Sequence, residues 1–135
     1  MACEFYLDLD VNCVFFRHTG PFDIADIFRR LEDFAGHPDS RPGINLLRDM
    51  RESPFPEEYR FDHLYAHHLS QVRWTYNLLG RCKSAWIAGS ARDFGVIHRW
   101  IAHGRLRSVP QDRRCFRDID TARKWLEIPE DYKIE

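Results

Sequence analysis

The chain has 135 residues, the size of one ordinary domain. Hydrophobic residues make up 44% and charged residues 30%, a balance that argues against disorder. A formal net charge of −1 excludes a strongly basic nucleic-acid binder, and no apolar run reaches the roughly 18 residues needed to span a bilayer. The N-terminus has neither a basic start nor an apolar stretch, so no signal peptide is expected and the compartment is expected to be the cytoplasm.

The near-neutral total conceals an asymmetry. Residues 1–80 carry 8 basic and 13 acidic side chains (−5), whereas residues 81–135 carry 12 and 8 (+4). Such a layout favours self-association or an acidic partner, and a solvated surface accounts for it equally well. Of the 20 basic residues 17 are arginine, which suits bidentate pairing but also follows from genomic base composition. Cys3, Cys13, Cys82 and Cys115 have no metal-ligand spacing and read as reduced, buried thiols.

In chain order, Phe5 to Leu9 and Cys13 to His18 read as two strands joined by a turn at Asp10-Val11-Asn12. Ile24, Ile27, Phe28, Leu31, Phe34 and Ala35 then recur at helical spacing; Asp23 suits the cap, and Gly36 the left-handed position beyond the end. Ile44 to Asp49 is a short, mostly apolar strand. From Glu57 to Leu79 runs the longest helical pattern, ended by Gly80, with Phe61, Leu64, Tyr65, His68, Leu69, Val72, Tyr76 and Leu79 on one stripe. Cys82 to Ala88 is the next strand. Ser90 with Asp93 resembles a capping box for a helix through Phe94, Ile97, Trp100 and Ile101 to Gly104. Arg113 to Phe116 is a last strand, and Asp118 or Asp120 caps a last helix with Ala122, Trp125 and Leu126 inward. The order β-β-α-β-α-β-α-β-α predicts one α/β domain over residues 1–135, a mixed sheet of about five strands with helices packed on it.

This order resembles the STAS-like family, whose best-known members are anti-sigma-factor antagonists. The nearer likeness is to small bacterial members grouped with lipid-binding domains of the CRAL-TRIO type. The pieces that carry it are Phe15-Phe16-Arg17-His18-Thr19-Gly20-Pro21, Asn45-Leu46-Leu47-Arg48-Asp49, Lys83-Ser84-Ala85-Trp86-Ile87-Ala88 and the tail from Cys115 to Leu126. The resemblance implies a non-catalytic interaction or regulatory module. In the antagonists the third strand leads to an Asp-Ser-Ser/Thr-Gly-like motif with a phosphorylated serine. Here Asp49 is followed by Met50-Arg51-Glu52-Ser53-Pro54, so the phosphorylation switch does not carry over.

Candidate chemistry is sparse, and no catalytic residue, metal ligand or cofactor is assigned. His63 and His67, four apart, can face one ion, but Leu64 stands where a zincin has its glutamate. The expectation is therefore no metal, with a metal-dependent hydrolase through these histidines as the remotest alternative. His63, His67, Ser70 and Trp74 fall within a sector of about 60° opposite the apolar stripe, and an outward tryptophan there predicts a homodimer interface. Arginines from Arg99 to Arg117 read as a solvated basic face without a nucleic-acid motif. Ligands of open α/β sheets bind beyond the carboxyl ends of the strands, which places a candidate lipid or anion site at Asp49, Arg51, Ser53, Gly89, Ser90 and Arg92. An interaction module is the leading expectation, with a small-ligand carrier second.

Overall fold

The computed structural model describes residues 2–60, 62–64, 76–106 and 109–134. Strands β1 (Ala2–Asp8) and β2 (Cys13–Thr19) form the opening hairpin. Asn12 closes its turn at φ 50°, a conformation asparagine tolerates, and its side chain donates to the Gly43 carbonyl at 3.1 Å. Helix α1 (Ile24–Ala35) leads to β3 (Asn45–Glu52). Then follow β4 (Lys83–Ile87), α2 (Ala91–Arg105), β5 (Asp112–Phe116) and α3 (Ile119–Trp125). Between β3 and β4, residues 62–64 and 76–79 are helical, at the two ends of the segment read from sequence as the longest helix.

The strands lie side by side in sequence order, β1-β2-β3-β4-β5, with β1 antiparallel and the remaining four parallel. Every parallel crossover advances the same way across the sheet, so right-handed crossovers put all the connecting helices on one face. The packing agrees. Ile27, Leu31 and Phe34 of α1, Leu64, Leu79, and Ile97, Trp100 and Ile101 of α2 cover Val14, Phe16, Leu46, Met50, Trp86 and Ala88. The alternate strand residues Cys13, Phe15, Leu47, Ala85 and Ile87 point the other way, against Ala122 and Leu126 of the α3 segment and against Ile128.

Local chemistry at the helix ends departs from the sequence reading in two places. Asp23 caps α1 as expected and Asp118, one of the two candidates, caps α3, accepting from the Ala25 and Thr121 N–H groups at 3.1 and 2.8 Å. Gly36, however, has φ −79° and continues the right-handed turn, because its N–H donates to the Glu32 carbonyl in the ordinary helical way. The Ser90 box is half made. Ser90 accepts from the Asp93 N–H at 3.1 Å, but the Asp93 carboxylate accepts from the Phe55 N–H at 3.1 Å and so ties the preceding loop to α2. Gly80 does take the left-handed position, at φ 62°, where a side chain would also meet Pro42 at 2.9 Å.

Candidate functional site

The parallel register writes two rows of side chains across the helix-covered face. Phe16 of β2, Arg48 of β3, Trp86 of β4 and Cys115 of β5 occupy one row; Val14, Leu46, Ser84 and Arg113 occupy the next. Arg48 is 2% exposed and Arg113 7% exposed, so both guanidiniums lie inside the protein. Neither is paired with a carboxylate among the described residues. The one buried carboxylate of α1, Asp26, is taken by Arg29 and Arg30 at 3.3 and 3.7 Å.

Aromatic faces do the compensating. The Arg48 guanidinium sits 4.6 Å from the Phe16 ring centre and 5.0 Å from that of Trp86. Trp86 meets Trp100 edge to face at 5.4 Å, and the Arg113 guanidinium lies 4.5 Å from the Trp100 ring and 5.8 Å from Tyr76. The result is a ladder of rings and cations from β2 to α2, with the Trp86–Trp100 pair between the two guanidiniums. Desolvated cation–π contacts are worth about 2 kcal/mol each. Taking an ion out of water costs several kcal/mol even after relaxation, so the ladder offsets the burial without neutralising the charge.

Hydrogen bonding leaves the same excess. One Arg48 Nη contacts His18 Nε2 at 2.8 Å, but among the described residues Arg48 Nε has no partner, nor has one Arg113 Nη or Trp86 Nε1, against a single unpartnered acceptor nearby, Gln111 Oε1. Gln111 donates to the Gly80 carbonyl at 2.8 Å. Burial holds Arg48 down at about 10, and burial also lowers Arg113, partly opposed by the Tyr76 hydroxyl beside it. Both remain cationic at neutral pH. Burial and the neighbouring Arg48 charge push His18 down to about 2, so its ring is neutral.

These groups border a cavity of about 50 Å³ between sheet and helices. Arg48, Ser84, Trp86 and Arg113 stand on the strand side; Ile24, Ile27, Phe28 and Leu31 of α1 close the other. The floor is cationic and the roof is hydrocarbon. Among the described residues the groups that line it carry more unpartnered donors than acceptors, which suits an anion.

The sequence-predicted ligand residues gather elsewhere, at the carboxyl ends of the strands. Asp49 takes a bidentate pair from Arg51, Nε to Oδ1 at 3.0 Å and Nη to Oδ2 at 2.8 Å. Burial pushes the Asp49 carboxyl up, but those hydrogen bonds and the Arg51 charge outweigh it and hold the group below its ordinary value. Gly89 lies against the Arg51 backbone, where an added Cβ would stand 2.8 Å from its carbonyl oxygen. Arg92 is spent on its own fold: its guanidinium donates to the Phe55, Pro56, Glu57 and Tyr59 carbonyls. Ser90 caps α2 as described. Ser53 is 1% exposed, which shuts it off from any kinase. The structure thus brings Asp49, Arg51 and Gly89 together, while Arg92 and Ser90 close the α2 N-terminus with the protein's own groups.

His63 is exposed, stacks on Tyr59 at 5.2 Å and accepts from the Arg60 N–H through Nδ1 at 3.1 Å. His67, Ser70 and Trp74, the rest of the proposed dimer face, lie outside the described residues. Neither a protein-family model nor a curated protein matches the chain.

Arg48 and Arg113 were missed by sequence reasoning, which placed them in a strand and a basic stretch. The signal was present for Arg48. It lies two residues from both Leu46 and Met50 in a strand, so alternation sends all three to one face.

Proposed function

We propose that this chain is a STAS-like, non-catalytic regulatory module that works by binding a small organic anion in the chamber over β3, β4 and β5. The observation that carries the reading is the pair of buried guanidiniums, Arg48 and Arg113, lining one cavity with aromatic rings but, among the described residues, no carboxylate beside them. A protein that only needed a core would place hydrocarbon there at lower cost. The five-strand mixed sheet with its helices supports the STAS-like assignment, and Asp49 pairing with Arg51 rather than preceding a serine supports a module without the phosphorylation switch. Cytoplasmic residence and a homodimer through His63, His67, Ser70 and Trp74 belong to the same proposal. Light scattering of wild type and Trp74→Ala checks the dimer, which a wild type monomeric at high concentration overturns.

Thermal unfolding with a panel of small organic anions tests the binding function, because a ligand held only by the folded state raises the melting temperature. The expected result is a concentration-dependent rise for at least one anion. That rise is absent or much reduced in the double variant Arg48→Met, Arg113→Met. A panel without any shift overturns the reading.

A further inference from the structure

Polarity and size together narrow the class of anion. We infer that the chamber takes a short-chain carboxylate, its head group between Arg48 and Arg113 and its hydrocarbon against α1; this rests on the anion-binding reading above.

The two sides of the cavity demand opposite chemistry from one molecule. On the strand side the lining residues carry three buried donors without partners among the described residues, Arg48 Nε, an Arg113 Nη and Trp86 Nε1, against one such acceptor, Gln111 Oε1, with Ser84 among them. Three unsatisfied donors, two of them on cations, call for a charged acceptor with more than one oxygen. A planar carboxylate offers two oxygens and about four lone-pair directions, enough to accept from all three. On the helix side stand Ile24, Ile27, Phe28 and Leu31, with Leu64 and Leu79 beyond. An anion polar all round, such as phosphate, would leave oxygens facing these carbons with nothing to bond. A neutral hydrocarbon would leave both cations uncompensated. An acid head on an apolar body satisfies both sides.

Volume sets the length. A cavity of about 50 Å³ corresponds to roughly three to five water-sized groups at about 10–15 Å³ each. That accommodates a carboxylate and two or three carbons, and rejects a long acyl chain. The ligand class is therefore a C3–C4 carboxylate rather than a membrane lipid. The contacts that now hold the guanidiniums stay in place on binding, because the rings grip their faces while the unpartnered nitrogens lie at their edges.

Calorimetric titration of the full chain with the sodium salts of acetate, butyrate, octanoate and phosphate, and with neutral butyramide, tests this. Butyrate is expected to bind at least about tenfold more tightly than each of the others, and to lose about tenfold or more in Arg48→Met and in Arg113→Met. Urea midpoints of the two variants establish that they fold. Leu31→Phe, which fills the helix side, is expected to lose butyrate and retain acetate. Phosphate binding without butyrate binding overturns the carboxylate and leaves the anion module standing. Octanoate binding above butyrate overturns the size limit and with it this inference. Butyrate bound equally by wild type and both arginine variants places the anion elsewhere and also overturns it. If no anion binds, both readings fall.

Discussion

The two faces of one sheet treat charge in opposite ways. On the face covered by α3 and the C-terminal segment the strand cations stay within reach of solvent: Arg17 pairs with Glu52 at 2.9 Å, Arg51 with Asp49 at 2.8 Å, Lys83 donates to the Trp125 carbonyl at 3.0 Å, and the exposed Arg114 lies 5.2 Å from the Trp125 ring. On the face covered by α1 and α2, Arg48 and Arg113 are far more deeply buried, with ring faces but no carboxylate against them among the described residues. Exposed ion pairs need no tight geometry and contribute little. Buried cations without a carboxylate are costly, and this fold keeps two of them around one cavity, which is the arrangement the anion-binding proposal rests on. The contrast separates a surface that solvates charge from an interior that stores it.

The largest expected effect comes from dismantling the ladder. Trp86→Ala removes a buried ring, strips one face from Arg48 and breaks the contact to Trp100, and should cost about 3–5 kcal/mol in urea unfolding. A loss below about 1 kcal/mol would show that the rings are not what compensates the cations. Acid should come next. His18 is held neutral when folded but takes a proton near pH 6.5 when unfolded, so the unfolded state binds more protons as pH falls. Stability is therefore full above about pH 6.5 and declines toward the folded value near 2, by about 2 kcal/mol at pH 5. His18→Gln, which keeps an acceptor for Arg48, should flatten the profile between pH 7 and 5; a variant as acid-sensitive as wild type in that window would place the effect on other groups. Arg48→Met follows in size. Apolar replacement of a buried charge is often neutral or stabilising, so its unfolding free energy should lie within about 1 kcal/mol of wild type or above it. A loss of more than about 2 kcal/mol would make Arg48 a structural strut rather than a binding group.

Much of this face-to-face difference was legible residue by residue, though not as a site. Alternation in Phe15-Phe16 and Leu46-Leu47, and the caps Asp23 and Asp118, depend on neighbours along the chain, so strands and helix starts emerged from sequence. The cavity depends on cross-strand register. That Phe16, Arg48 and Trp86 share a row, and that Ser84 stands beside Arg113, follows only from how four parallel strands align over a hundred residues of chain. Arg92 failed for a related reason. Its place at the start of α2 suggests an anion site, but the loop from Phe55 to Tyr59 folds back and presents its carbonyls first. Gly36 failed locally, since a glycine after a helix permits the left-handed turn without enforcing it.

The smallest expected effect belongs to the paired face, and it is the control that gives the others meaning. Asp49→Asn keeps the shape but removes the charge that Arg51 grips through two nitrogens. Arg51 is 41% exposed, so water takes over most of what the carboxylate supplies, and the loss should stay under about 1 kcal/mol and shrink in salt. The pH dependence has its own window. A carboxyl held below its ordinary value stabilises the fold above about pH 4 and loses that contribution as pH falls further, so this pair is silent between pH 7 and 5, where His18 acts. Asp49→Asn should therefore leave the acid slope in that interval untouched and leave anion binding in the chamber unchanged. A large stability cost from Asp49→Asn, or a loss of anion binding, would mean that the two faces are coupled through the sheet and that charge on one is not independent of charge on the other.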